Sequence, residues 1–164
     1  MVQQITPPQV NPSDEVIRVG ALELRFLVTG ANSNGRATVF EMIVPAGEKL
    51  LAPPHSHDAY EETIYGREGV LTWTVEGDAI AVGAGQALCI PRGAVHGFAN
   101  HGSEDAKVLA VISPAAIGPE FFRESAELIN AAAGGLPDRA KAMEIMRRYG
   151  LTPAPAPNDS HRDT

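Results

Sequence analysis

With a single cysteine, Cys89, the chain can form no internal disulfide and no thiolate zinc cluster, and nothing in its composition asks for an oxidising compartment. Basic residues are scarce too: 13 Lys and Arg stand against 20 Asp and Glu, giving a formal charge of -7. Neutralising phosphates requires a basic stripe that this sequence lacks, so nucleic acid and anionic membranes are not expected partners. No segment approaches the roughly 20 apolar residues of a membrane span. The opening residues, Met1 to Ile5, hold neither a basic patch nor an apolar stretch of signal length, and the expected location is the cytoplasm. Two catalytic signatures are also missing. No G-x-S-x-G elbow occurs. Gly83-Ala84-Gly85 runs on into Gln86-Ala87-Leu88, a strand pattern and not the glycine-ended start of a dinucleotide-binding helix.

What is present fits one globular domain: 164 residues, 44% hydrophobic and 20% charged. Residues 1–13 carry three prolines, and residues 152–164 carry Pro153, Pro155 and Pro157 among small and polar groups, so both read as tails. Between them, residues 14–114 break into short β-favouring runs divided by Gly, Pro, Asn or Asp. The expected strands are Ala21 to Val28, Ala37 to Val44, Glu62 to Tyr65, Val70 to Val75, Ala79 to Val82, Gln86 to Ile90, Val95 to Ala99 and Lys107 to Ile112. Glu76-Gly77-Asp78 and Arg67-Glu68-Gly69 are short enough to close hairpins, and strands this closely spaced with no helix between them indicate an antiparallel sandwich or barrel. Residues 115–151 change character. Pro119 suits a first helical turn, and Phe122, Ala126, Ile129 and Ala133 repeat at three or four residues up to Gly134-Gly135. Asp138 opens a second helix with the stripe Ala142, Met146 and Tyr149, closed by Arg147, Arg148 and Gly150.

The chemistry concentrates in His55-Ser56-His57, then Glu62, then His96. Residues two apart on a strand share a face about 6.6 Å apart, so both imidazoles of the first pair can reach one ion while Ser56 points away. Imidazole suits divalent transition metals, and one carboxylate adds an anionic oxygen while leaving a coordination position open. His101 and His161 read as solvated loop and tail residues, and Cys89, in an apolar strand, as a packing residue.

These residues resemble the two motifs of the cupin superfamily, written G-x5-H-x-H-x3,4-E-x6-G and G-x5-P-x-G-x2-H-x3-N. The second is matched throughout by Gly85, Pro91, Gly93, His96 and Asn100. The first is matched by His55, His57, Glu62 and Gly69, but Gly47 lies seven residues before His55 where the pattern has five. The resemblance implies an all-β fold, the double-stranded β-helix or jelly-roll barrel, here with two C-terminal α-helices. It implies one divalent transition metal, Fe(II), Mn(II), Ni(II) or Zn(II), held by His55, His57, Glu62 and His96. Glu62 is preferred to Glu61 because its spacing to Gly69 fits and because neighbours on a strand point oppositely. Asn100 is expected to tie a loop through its amide.

The strand-rich body followed by two helices is similar to small bacterial cupins grouped with quercetin dioxygenase. That likeness implies a dioxygenase for a small enolisable or aromatic substrate, with Glu62 as its catalytic base. Two alternatives use the same ligands: a metal-dependent isomerase or lyase acting on a sugar or a keto or hydroxy acid, and a non-enzymatic metal or small-ligand binding protein. Ile64 shares parity with Glu62 and Phe98 with His96, so both should face the interior, and Trp73 and Tyr65 are further candidates for the pocket lining. Exposed sheet edges give a physical motive for a homodimer.

Overall fold

The computed structural model describes Val10 and residues 15–155; the rest of residues 1–14, and residues 156–164 with His161, lie outside the described residues. Two antiparallel sheets face one another. The first has six strands and is ordered β1 (Val16–Val19), β2 (Leu22–Val28), β3 (Thr38–Val44), β10 (Ala106–Ser113), β5 (Glu61–Glu68), β8 (Ala87–Ile90). The second has five, ordered β11 (Leu151–Pro153), β4 (His55–His57), β9 (His96–Ala99), β6 (Val70–Val75), β7 (Asp78–Gly83). Helices α1 (Pro119–Ala131) and α2 (Arg139–Arg148) follow the strands. This is the expected jelly roll with two C-terminal helices.

Period-2 alternation decides what lies between the sheets. Phe40, Met42 and Val44 of β3 point inward, as do Val108, Ala110 and Ile112 of β10 and Leu71 and Trp73 of β6, and all are buried in one continuous core. Thr38, the one polar residue in the inward series of β3, donates its hydroxyl to the Ile117 carbonyl at 2.6 Å. The helices spend their apolar stripes on the same core, through Phe121, Ala126 and Ile129 of α1 and Met146 of α2. Pro119 starts α1, and the Asp138 carboxylate accepts the Lys141 N–H at 3.1 Å to cap α2. Among the described residues no helix is long and apolar enough to cross a membrane.

Several local expectations change. Glu76-Gly77 does close the β6–β7 hairpin, both residues having positive φ (50° and 90°) as a tight twisted turn requires. Arg67-Glu68-Gly69, in contrast, is no hairpin: β5 and β6 belong to different sheets, and Gly69 turns the chain from one to the other. Its φ of 65° and the Asp105 carbonyl, which a Cβ there would meet at 2.4 Å, both require glycine. Helix α1 ends at Ala131, short of the glycine pair. Cys89 is exposed and does not pack, because Leu88 and Ile90 supply the covered positions of edge strand β8. Thr152 and Pro153, read as tail, continue from Leu151 into β11, which pairs Leu151 with His57 and Pro153 with His55.

Strand β11 therefore supports the short strand that carries two histidines, and Leu151, 1% exposed, is its hold on the core. Replacing Leu151 with Ala is expected to cost about 2–5 kcal/mol, the range for emptying a buried leucine site. Urea unfolding of the two proteins measures the difference.

Candidate metal centre

Strand β4 is three residues long and lies between β9 and β11, and its single ladder pair with β9 sets His55 opposite His96. His57 follows two residues on, on the same face. The three rings gather closely: centroids are 5.3 Å apart for His55 and His57, 4.9 Å for His55 and His96, and 4.5 Å for His57 and His96. One nitrogen from each ring lies within 4.8 Å of the others. Glu62 approaches from the opposite sheet, its Oε2 lying 3.6 Å from His57 Nε2 and 3.4 Å from His96 Nε2. All four residues are buried. Glu61, next along β5, turns outward to Arg92, which donates to it at 2.6 and 3.0 Å.

The rings are oriented as metal ligands need to be. His55 Nδ1 lies 3.0 Å from the Pro53 carbonyl and His96 Nδ1 lies 2.9 Å from the Ala94 carbonyl. A carbonyl only accepts, so each Nδ1 carries a proton; this leaves the buried, neutral His55 its Nε2 lone pair, while His96 Nε2 faces the Glu62 carboxylate. Such a backbone contact is a usual outer support of a ligating histidine. His57 is held differently, stacked on Tyr60 with centroids 4.4 Å apart, and its buried Nδ1 has no hydrogen-bond partner among the described residues.

Electrostatics agree with this donor set. Burial, helped by the neighbouring His96, lowers the pKa of His55 to about 4. Burial likewise brings His57 to about 4, against an opposing pull from Glu62. His96 is raised instead, because the Glu62 carboxylate beside it outweighs burial. Burial alone would raise Glu62, but hydrogen bonding with His96 and the three imidazoles around it hold its pKa down, so it stays ionised. Three imidazoles, two of them kept neutral by burial, and one carboxylate form a nitrogen and oxygen set suited to a divalent transition ion. The residues present fit the implied metal.

Around the cluster lies a cavity of about 90 Å³. Trp73 and Phe98 line it, their rings 5.0 Å apart, as the sequence suggested. Ile64 faces the interior and is fully buried in the core, but does not line the cavity. Tyr65 is a correction: it is 46% exposed, because Glu62 and Ile64 take the inward positions of β5 and alternation sends Tyr65 out. Asn100 ties the loop after β9, donating to the Val44 and Glu104 carbonyls at 2.9 Å each and accepting from Gly102 N–H. Sequence reasoning missed Tyr60, which sits in the variable gap between His57 and Glu62. It also missed the contribution of α1, whose Phe121, Phe122, Ser125 and Ile129 reach the cavity. An apolar helical stripe was visible for α1, but which strands it would cover was not.

Two outcomes are expected. Alanine in place of His55, His57 or His96 should lower bound Zn(II) well below one equivalent by elemental analysis, whereas Glu61→Gln should leave it unchanged. In metal-free protein, His55 and His57 bind protons less readily folded than unfolded, so their contribution is complete above pH 6.5 and lost as the pH falls toward about 4. His96, raised, contributes with the opposite sign. The melting temperature of the metal-free protein should therefore fall across this window, and less steeply in His55→Gln.

Residues 40–112 match the model of a family described as the cupin domain. Over 99 residues the chain is 29% identical to quercetin 2,3-dioxygenase of Bacillus subtilis (strain 168), a match spanning 60% of this chain and 28% of that protein. Over 132 residues it is 30% identical to polyketide synthase CurC of Streptomyces cyaneus, covering 80% of this chain and 81% of the relative. Among solved structures, one titled a predicted oxalate decarboxylase from Thermotoga maritima superposes with a TM-score of 0.57 at 23% identity, over 65% of this chain and 99% of the other, a likeness of fold alone.

Proposed function

The chain belongs to the cupin family, and on that footing we propose that it is a metal-dependent dioxygenase acting on a small enolisable or aromatic substrate in the barrel cavity. One observation carries the reading: a compact set of three buried imidazoles with an ionised carboxylate at the end of an otherwise apolar cavity. The match to a protein named quercetin 2,3-dioxygenase supports it. A divalent ion held by His55, His57, His96 and Glu62 would supply Lewis acidity, polarising an enol or phenol oxygen and lowering the charge cost of its anion.

The chain's own residues do the rest. Glu62, ionised and buried beside the cluster, accepts the substrate's hydroxyl proton at Oε2 and so acts as general base. Trp73 and Phe98 hold the substrate body and keep water from it. Dioxygen, as oxidant and co-substrate, then delivers both its oxygen atoms to the enolised substrate, forming carbon–oxygen bonds as a carbon–carbon bond breaks. An isomerase or lyase acting on a sugar or hydroxy acid needs polar contacts to several hydroxyls, and this lining offers few.

Oxygen uptake decides the matter. Protein reconstituted separately with Fe(II), Mn(II), Ni(II) and Zn(II) is screened against β-diketones, flavonols and hydroxylated aromatics. Uptake is expected with at least one pairing, and Glu62→Gln should lower kcat by about 10²–10⁴, the usual worth of a general base. No uptake with any pairing would sink the dioxygenase reading, and product formed without oxygen consumption would favour the isomerase or lyase.

A further inference from the structure

Much of the cavity wall comes from outside the segment that defines the family. Residues 40–112 supply the cluster together with Trp73 and Phe98, whereas Val19, Leu22 and Leu24 come from β1 and β2, and Phe121, Phe122, Ser125 and Ile129 from α1. The helix is fastened where it stands. The Asn130 side chain accepts the Gly20 N–H at 2.8 Å and donates to the Arg18 carbonyl at 2.9 Å. Phe122 packs its ring against Phe40 and Phe26, with centroids 5.2 and 5.5 Å apart. Such a wall is a fixed surface for a ligand.

Its chemistry is one-sided. No Lys or Arg is among the lining residues, and Glu62 is the one acid. Of the guanidinium groups on the helices, Arg123 pairs with Glu15 and Arg148 with Glu124. A negative charge on a ligand can be met at the imidazole end, where a divalent ion would reside. A second one, carried toward α1, would be desolvated with no counter-charge and would cost several kcal/mol. One neutral polar group remains for the ligand body: Ser125 is the one hydroxyl in the lining.

We propose that helix α1 selects the ligand, admitting an apolar body with at most one ionisable oxygen, which lodges at the imidazole end, and excluding molecules that carry a second anionic group at the far end. This rests on the cluster being the working site, but not on the reaction being an oxygenation. Sugar phosphates and dicarboxylates fall outside the permitted class.

The test is calorimetric titration of metal-free and Zn(II)-loaded protein with 2-naphthol and with naphthalene-2,6-dicarboxylate, which keeps the same ring system but carries an anionic group at both ends, so that neither orientation spares the far wall a charge. Wild type should bind 2-naphthol at least about tenfold more tightly in both forms. Ser125→Ala should keep that preference, whereas Ser125→Arg, which places a cation in the wall, should shift it toward naphthalene-2,6-dicarboxylate by about tenfold or more. Phe122→Leu should weaken 2-naphthol binding at unchanged Zn(II) content. The proposal falls if 2-naphthol does not bind, if wild type takes both ligands equally, or if a Ser125→Arg protein with wild-type melting behaviour keeps the original preference. The wild-type comparison requires no variant, so misfolding of Ser125→Arg would not shelter the idea. Oxygen uptake without this preference would refute the inference alone, and the preference without oxygen uptake would refute the dioxygenase alone.

Discussion

The structure depends on holding His55 and His57 in extended backbone long enough for both rings to face the interior. Three residues make a weak strand by themselves. Here β4 is paired on both sides, by β9 through His55 and His96 and by β11 through Leu151 to Pro153. The His57 carbonyl further accepts the Gly93 N–H at 2.9 Å, which joins the H-x-H segment to the turn that launches His96. Positions of three donor atoms are thus fixed by backbone hydrogen bonds and not by the preferences of the side chains.

The fourth group comes from the other sheet, and that opposition has an electrostatic consequence. Glu62 is a buried charge with no Lys or Arg against it, and such a group persists only if hydrogen-bonded or paired with positive charge. Three imidazoles surround it, two of them kept neutral by burial. Two neutral imidazoles, a third beside the carboxylate, and the carboxylate's negative charge make a donor set that a divalent cation would complete. The carbonyls of Pro53 and Ala94 maintain that state by claiming the Nδ1 protons of His55 and His96, so the arrangement is prepared before any ion arrives.

Labour is divided along the chain. The matched segment, residues 40–112, brings together the donor set, while the strands before it and the helices after it close the space around that set. One cluster can serve different ligands when such walls differ, because the cluster fixes which atom is activated and the wall fixes which molecule presents it. In this chain the wall is aromatic and aliphatic, held by the Asn130 clamp and the Phe26, Phe40 and Phe122 rings.

Much of this was legible in the sequence. Alternation in Val70–Val75 gave that strand's bounds and its buried face, and the spacing from Glu62 to Gly69 chose Glu62 over Glu61, because local periodicity is a property of neighbouring residues. Where periodicity meets a partner far along the chain, it ran out. Arg67 to Gly69 is short enough for a hairpin, yet which sheet β6 joins depends on pairing with β9. Thr152 and Pro153 have no strand character, yet β4 offers an open edge that recruits them. By itself, then, the sequence determined the alternating strands, the donor residues and their facing, since these follow from backbone geometry over a few residues. Only the tertiary structure decided how the donors converge across two sheets, that Tyr60 stacks on His57, and that α1 walls the cavity, since those contacts join residues that no local rule connects.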